Sequence, residues 1–245
     1  MKTAKNLDNL PPYLFAQIDA KRDALVSQGI DVISLGIGDP DIPTPEHIVD
    51  AMAQAIRNPA NHRYPDYAGS KAYRQACAGW MQRRFGVTVD SETEVLALIG
   101  SKEGIAHIHT AFVNPGEYVL APSIGYPVYS GGATLVHAQT WFMPMRAETG
   151  FLAEFAAVPE EVLEKAKILF IGYPNNPTGA IATPEYFDAA IAFCRQHDLL
   201  LVHDNAYSEL GFDGYAAPSI LERPGAKDVA IEMFSLSKTY NMTGW

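Results

Sequence analysis

The chain has 245 residues, room for one large domain or two small ones, and its 48% hydrophobic and 19% charged residues are the make-up of a soluble globular protein. Eighteen Lys and Arg against 28 Asp and Glu leave a net charge of −10, which argues against a nucleic-acid partner, for which a basic face is expected. Cys77 and Cys194 lie far apart with no C-x-x-C spacing, residues 1–10 carry no apolar leader core, and no apolar run approaches the roughly 20 residues of a membrane span, so a reduced cytoplasmic setting is expected.

In chain order, Pro11 and Pro12 open a helical stretch with Leu14, Phe15, Ile18, Leu25 and Val26 on one face, closed by Gly29. A short strand is expected over 32–35. Thr44-Pro45-Glu46 and Thr183-Pro184-Glu185 repeat one start signal: a capping Thr, a Pro at the first helical position and an acid in the first turn. Helices are expected over about 45–57 and 183–197, and a third over about 69–85 that stops at Gly86. Short apolar strands are expected at 95–99, 118–121, 168–172, 199–202 and 229–234, with helical segments at about 102–113, 126–136 and 159–166 between them. Strands this short and this apolar are buried on both faces. Alternating with helices, they read as an α/β fold with a doubly wound, mostly parallel sheet sandwiched by helices. No linker or low-complexity tract divides the chain, which reads as one α/β domain from about residue 40, preceded by an N-terminal arm over 1–39.

Ligands of open α/β sheets gather at the carboxyl ends of strands, and the chemically useful groups fall there. Gly100-Ser101-Lys102-Glu103-Gly104 starts a helix, whose unpaired N–H groups and dipole suit a phosphate, although a plain cap has the same look. Asn176 lies in a Pro-bracketed loop, Asp204 ends a strand, and Tyr207 follows three residues on. Lys238 stands behind an apolar run with hydroxyls at −3 and −1. Each alone has a bland reading as turn, cap or surface charge. The set, in this order, does not. The seven histidines make no metal site: His107 and His109 point to different faces of one helix, and His203 projects opposite to Asp204.

Ser235-Leu236-Ser237-Lys238-Thr239-Tyr240, Tyr173-Pro174-Asn175-Asn176-Pro177-Thr178-Gly179 and His203-Asp204-Asn205-Ala206-Tyr207 together resemble the pyridoxal 5′-phosphate site of class I/II (fold-type I) aminotransferases. The resemblance covers essentially the whole chain and is nearest to the LL-diaminopimelate branch. It rests there on Asn9-Leu10-Pro11-Pro12-Tyr13, Gly36-Ile37-Gly38-Asp39-Pro40-Asp41, His62-Arg63-Tyr64-Pro65 and the closing run to Gly244-Trp245. It implies that Lys238 holds the cofactor covalently and then, as a neutral amine, moves the proton at the substrate Cα. Asp204 would pair with the ring N–H, Asn176 and Tyr207 would bond the ring hydroxyl oxygen, and Tyr126 would stack on the ring. Ser101 and Lys102 (through their N–H groups), Ser235 and Ser237 would hold the phosphate. Tyr64 would reach the phosphate of a neighbouring subunit, which makes a homodimer the expected assembly.

For the substrate, the resemblance implies backbone contact of Gly38 with the α-carboxylate, and Tyr13 and the Lys102 side chain at the distal end, with Tyr126 and Asn176 bordering the same space. The implied reaction moves an amino group from LL-2,6-diaminopimelate to 2-oxoglutarate, forming tetrahydrodipicolinate in lysine biosynthesis. Alanine, aspartate or aromatic donors, a non-catalytic cofactor-binding module, and an inactive fragment are the competing readings. The family pattern also continues past Trp245, with an Arg for the phosphate, one more strand, and a C-terminal small domain whose Arg grips the α-carboxylate. The large domain, 40–245, is therefore expected to be incomplete, and 1–39 to lead into the small domain.

Overall fold

Five short, mainly apolar runs build the sheet: β1 (Tyr118–Pro122), β2 (Gln139–Met143), β3 (Ala166–Ile171), β4 (Leu200–Asp204) and β5 (Ala230–Met233). The structure is a computed structural model that describes residues 1–10, 14–34, 38 and 40–245, with all their side chains except those of Leu14 and Phe15. Among the described residues the four strand pairings are parallel, in the order β2-β1-β3-β4-β5. The helices are α1 (Leu14–Val26), α2 (Glu46–Ala55), α3 (Lys71–Phe85), α4 (Ser101–Phe112), α5 (Val128–Leu135), α6 (Glu160–Leu163), α7 (Pro184–Gln196) and α8 (Leu236–Thr239).

Alternation along the strands feeds two cores. Leu169, Ile171 and Leu201 face Phe187, Ala190, Ile191 and Cys194 of α7, while Ile168, Phe170 and Val202 face Ile105 and Ile108 of α4 and Tyr129 and Ala133 of α5. The strand order reverses between β1 and β3, since β2 lies to one side of that pair and β4 and β5 to the other. That is the switch point at which such sheets leave a crevice beyond their carboxyl ends. A third cluster joins Met81, Phe85 and Val87 to Trp80 and Phe234, tying α3 to the segment after β5.

The doubly wound parallel sheet agrees with the expected fold class. Two expected strands do not form. Residues 95–98 form no strand: Leu96, Leu98 and Ile99 are exposed, and the segment's backbone bonds are Ala97 N–H to Ala68 O at 3.0 Å and Ile99 N–H to the Glu103 carboxylate at 2.5 Å. No strand among the described residues lies beside it to complete a ladder. Residues 32–34 are likewise without strand pairing, and Leu35 lies outside the described residues. Conversely β2 went unread, because its polar start follows a helix directly; its Thr140, Trp141 and Phe142 were the available signal.

The two Thr-Pro-Glu copies also diverge. The Thr183 hydroxyl caps α7 by accepting from Tyr186 N–H at 3.3 Å. Thr44 caps nothing. Pro45 holds the cap position of α2, and the Thr44 hydroxyl donates to Asn241 O at 2.6 Å, while Asn241 Nδ2 donates to Ile42 O at 2.7 Å.

Candidate active site

The candidate residues arrive on separate elements at one end of the sheet. Asp204 is the last residue of β4, and alternation turns it toward α5, where the Tyr129 hydroxyl donates to its Oδ2 at 2.9 Å. Its other oxygen, Oδ1, is sealed from solvent and has no hydrogen-bond partner among the described residues. Burial raises the Asp204 pKa, opposed by the Tyr129 hydroxyl, the charge of His203 and the Ala206 N–H. The same burial, then the Asp204 charge, drives the Tyr129 phenol well above its ordinary value. Gly172, just past β3, leaves the room this pair needs: a Cβ there would come to 3.1 Å from the Tyr129 hydroxyl and 3.3 Å from Asp204 O.

Tyr126 meets Tyr129 edge-on, ring centres 6.1 Å apart, and the Lys102 ammonium lies 6.0 Å from the Tyr126 ring centre. Tyr207, half-buried, adds to the electrostatic surroundings of Tyr129. Ser101 is the first residue of α4, behind Gly100 at φ +77°. A Cβ at Gly104 would lie 3.2 Å from the Met233 sulfur, so the first turn of α4 packs on the end of β5, two residues ahead of Ser235. The Ser235 Oγ accepts from Ser237 N–H at 3.2 Å, capping the short α8 that carries the half-buried Lys238.

Other expectations are met less directly. Asn176 is exposed at the tip of its loop. Its neighbour Asn175, which sequence reading passed over, builds that loop: its Nδ2 donates to Gly172 O at 3.3 Å and its Oδ1 accepts from the Thr178 hydroxyl at 2.8 Å. An Asn between prolines was the signal for it. Tyr129 was passed over too; it lies three residues after Tyr126, a spacing that puts both on one side of a helical turn. Tyr64 is fully exposed and does not join the cluster within this chain. Around Gly38, apart from its chain neighbours, nothing among the described residues lies within 4 Å of where a Cβ would sit, so crowding within the chain does not require glycine there. Tyr13 lies outside the described residues.

Known proteins resemble this chain in sequence and fold. A sequence profile of the family "Aminotransferase class I and II" matches residues 30–245. The chain belongs to that family. Aminotransferases of curated function resemble it along its length: LL-diaminopimelate aminotransferase 2 of Trichormus variabilis is 54% identical over 246 residues, covering 100% of this chain and 63% of the relative. LL-diaminopimelate aminotransferase of Desulforudis audaxviator is 55% identical over 242 residues, covering 99% and 62%. Among solved structures, substrate-bound BacF from Bacillus subtilis superposes with a TM-score of 0.95 at 38% identity, over 100% of this chain and 62% of that one. A probable N-succinyldiaminopimelate aminotransferase from Thermus thermophilus gives 0.89 at 40% identity, over 95% and 62%. This aminotransferase chain thus spans somewhat under two thirds of the length of the relatives it matches.

Aminotransferases of this family depend on pyridoxal phosphate, and the residues present fit that group. A buried acceptor without a donor is rare in a folded protein. The unpartnered Asp204 Oδ1 is such an acceptor, at the strand end where a protonated ring nitrogen would satisfy it. A lysine past the exit of the next strand, the edge-on Tyr126 and Tyr129 rings and the N–H groups that open α4 complete a set suited to an aromatic phosphate ester.

Proposed function

We propose that this chain forms the pyridoxal-phosphate-binding large domain of an aminotransferase that moves the amino group of LL-2,6-diaminopimelate to 2-oxoglutarate. The sealed, donor-less Asp204 Oδ1 is the observation that carries the reading. The names and identities of the two curated relatives support the donor and its place in lysine biosynthesis. When bound, the cofactor supplies an electron sink for the negative charge left when the substrate Cα gives up its proton.

The chain's own residues do the rest. Asp204 holds the ring nitrogen protonated, and Tyr129 keeps that carboxylate aimed and charged. Asn176 and Tyr207 bond the ring oxygen, and Tyr126 covers the ring face. The opening N–H groups of α4 at Ser101 and Lys102, with Ser235 and Ser237, take the phosphate. Lys238 carries the cofactor between turnovers and, released by substrate, accepts and returns the proton at Cα as a general base and acid. Gly38 backs the α-carboxylate, while Tyr13 and the Lys102 ammonium read the distal end.

Residues 1–39 form an arm leading into the small domain, and 40–245 the large domain. The enzyme works in the cytoplasm as a homodimer in which Tyr64, exposed over its whole surface here, reaches the neighbouring site.

Borohydride reduction of the full-length protein with pyridoxal phosphate, followed by peptide mass mapping, tests the site. Label is expected on Lys238 and absent in Lys238→Ala; label on another lysine refutes the assignment. Donor profiling with 2-oxoglutarate tests the substrate. Turnover of alanine, aspartate or an aromatic amino acid ahead of LL-diaminopimelate removes that part of the reading.

A further inference from the structure

Behind Asp204, on the opposite face of the sheet, lies a second buried acid that the proposed chemistry does not use. His203 precedes Asp204 on β4 and points toward α7, its ring 4.9 Å from that of Phe187. The side chains of His203 and Glu232 are both fully inaccessible, with His203 Nδ1 and Glu232 Oε1 2.8 Å apart. The other ring nitrogen, Nε2, lies 3.1 Å from Tyr173 O, at the root of the loop that carries Asn176.

The donor inventory decides the charges. A neutral imidazole has one N–H, whereas both nitrogens of His203 face oxygen. Either His203 carries both protons, or Glu232 is neutral and donates to Nδ1. Glu232 already receives Asn205 Nδ2 at 2.8 Å and Ile220 N–H at 3.3 Å on Oε1, and the Ser219 hydroxyl on Oε2. Donors converging on both oxygens favour the carboxylate, so the shared proton belongs on the ring.

We propose that His203 is a positioning residue for Asp204: a buried imidazolium, held by Glu232 and the Tyr173 carbonyl, that fixes the end of β4 and keeps the Asp204 carboxylate charged from the far side of the sheet. The two residues are adjacent on one strand, so the charge reaches Asp204 through the strand itself, where little water screens it. Among the described residues, the groups that otherwise face Asp204 are the Tyr129 hydroxyl from α5 and the Ala206 N–H, with Tyr126 and Tyr207 beyond Tyr129. From β5, Glu232 faces His203 rather than Asp204. Glu232 thereby acts twice, as anchor and as the reason the ring keeps its second proton.

The importance of Asp204 rests on the functional reading above; its coupling to His203 does not, and the two are measured separately. In full-length protein freed of cofactor, the 15N signals of the His203 ring report its protonation directly, and the 13C signal of the Asp204 carboxyl reports its titration. Both ring nitrogens are expected protonated at neutral pH, and His203→Gln is expected to move the Asp204 titration up by about one pH unit, at the low end for loss of a nearby opposite charge. Glu232→Gln, which keeps the shape but removes the anchoring charge, should leave one bare ring nitrogen and move Asp204 the same way. A bare nitrogen in the unsubstituted protein, or an Asp204 titration unmoved in a variant that folds, overturns the proposal. Pyridoxal phosphate retention in Asp204→Asn, read by equilibrium dialysis, is the separate measurement. Unchanged retention there refutes the cofactor role of Asp204 and leaves the coupling to be judged by the two resonances.

Discussion

Asp204 gains one hydrogen bond from Tyr129 and loses its water, and burial is the larger effect, so its pKa rises in the fold. A carboxyl whose folded pKa is raised contributes stability that is present while it is protonated and is lost as pH climbs through the raised value. At neutral pH the cofactor-free protein is therefore less stable on account of this carboxyl than it is at acid pH, a cost of the kind that functional sites impose on stability. Asp204→Asn is expected to raise the melting temperature of the cofactor-free protein by a few degrees at neutral pH. The gain should shrink as pH falls into the ordinary carboxylate range, and the same variant should release pyridoxal phosphate. Differential scanning calorimetry at the two pH values checks the sign; a lower melting temperature at neutral pH contradicts it.

Tyr129→Phe removes the hydroxyl that donates to Oδ2 while keeping the ring stacked on Phe170 at 4.9 Å. Leaving a buried acceptor unpaired costs about 1–3 kcal/mol. The predicted result is a folded protein, less stable by that order in denaturant titration, with cofactor affinity weakened severalfold in equilibrium dialysis. Neither Tyr129 nor Asn175 stood out in the sequence, because their work is to bond Asp204 and to brace the Asn176 loop. Lys238, Asn176, Asp204 and Tyr207 were visible because their residue types and order match the motifs of the family. The supporting residues become visible only once β3, β4 and α5 are set side by side.

The helices divide into those whose ends the local sequence dictates and those set by packing. Thr183 caps α7 through its own hydroxyl, so Thr183→Ala is predicted to cost about 1 kcal/mol. The identical tripeptide at Thr44 bonds instead to Asn241 O, across the molecule. Chemical denaturation of Thr44→Ala should therefore show its loss in the anchoring of the segment after Lys238, read by proteolysis there, and not in the helicity of α2. Local signals could not separate the two copies, because the deciding partner lies 197 residues away. The unpaired 95–98 segment teaches the same lesson: an apolar run becomes a strand only beside another strand.

Between α4 and α5 the fit is tighter than any pattern shows. A Cβ on Gly132 would stand 2.4 Å from His109 Nδ1, and that ring is buried and stacked on Phe170 at 5.3 Å, with no room to yield. Gly132→Ala, ordinarily favourable in a helix, is expected here to destabilise by about 1–3 kcal/mol through overpacking. A neutral or stabilising result in urea titration would mean that the two helices can separate without loss.

At the scale of the whole molecule, the described residues leave much apolar surface uncovered. Ile42 is 76% exposed, Leu96 62%, Ile99 87% and Phe212 82%, with Tyr64 and Tyr67 fully so. Ile99 and Leu96 lead into the start of α4, one wall of the proposed site, and β5 is paired on one side alone among the described strands. Exposed apolar surface of this extent marks an interaction face or an aggregation liability. Relatives extend to about half as much chain again, the aligned part being 63% of the length of the Trichormus variabilis enzyme. If further chain and a second subunit cover this surface, residues 1–245 expressed alone should bind a hydrophobic dye strongly and sediment as a concentration-dependent mixture. Protein of the relatives' length should bind little dye and sediment as one species of twice its chain mass. Equal dye binding by the two forms would mean that the surface is tolerated in water, and a monomer from protein of the relatives' length would mean that the site is not built at a subunit boundary.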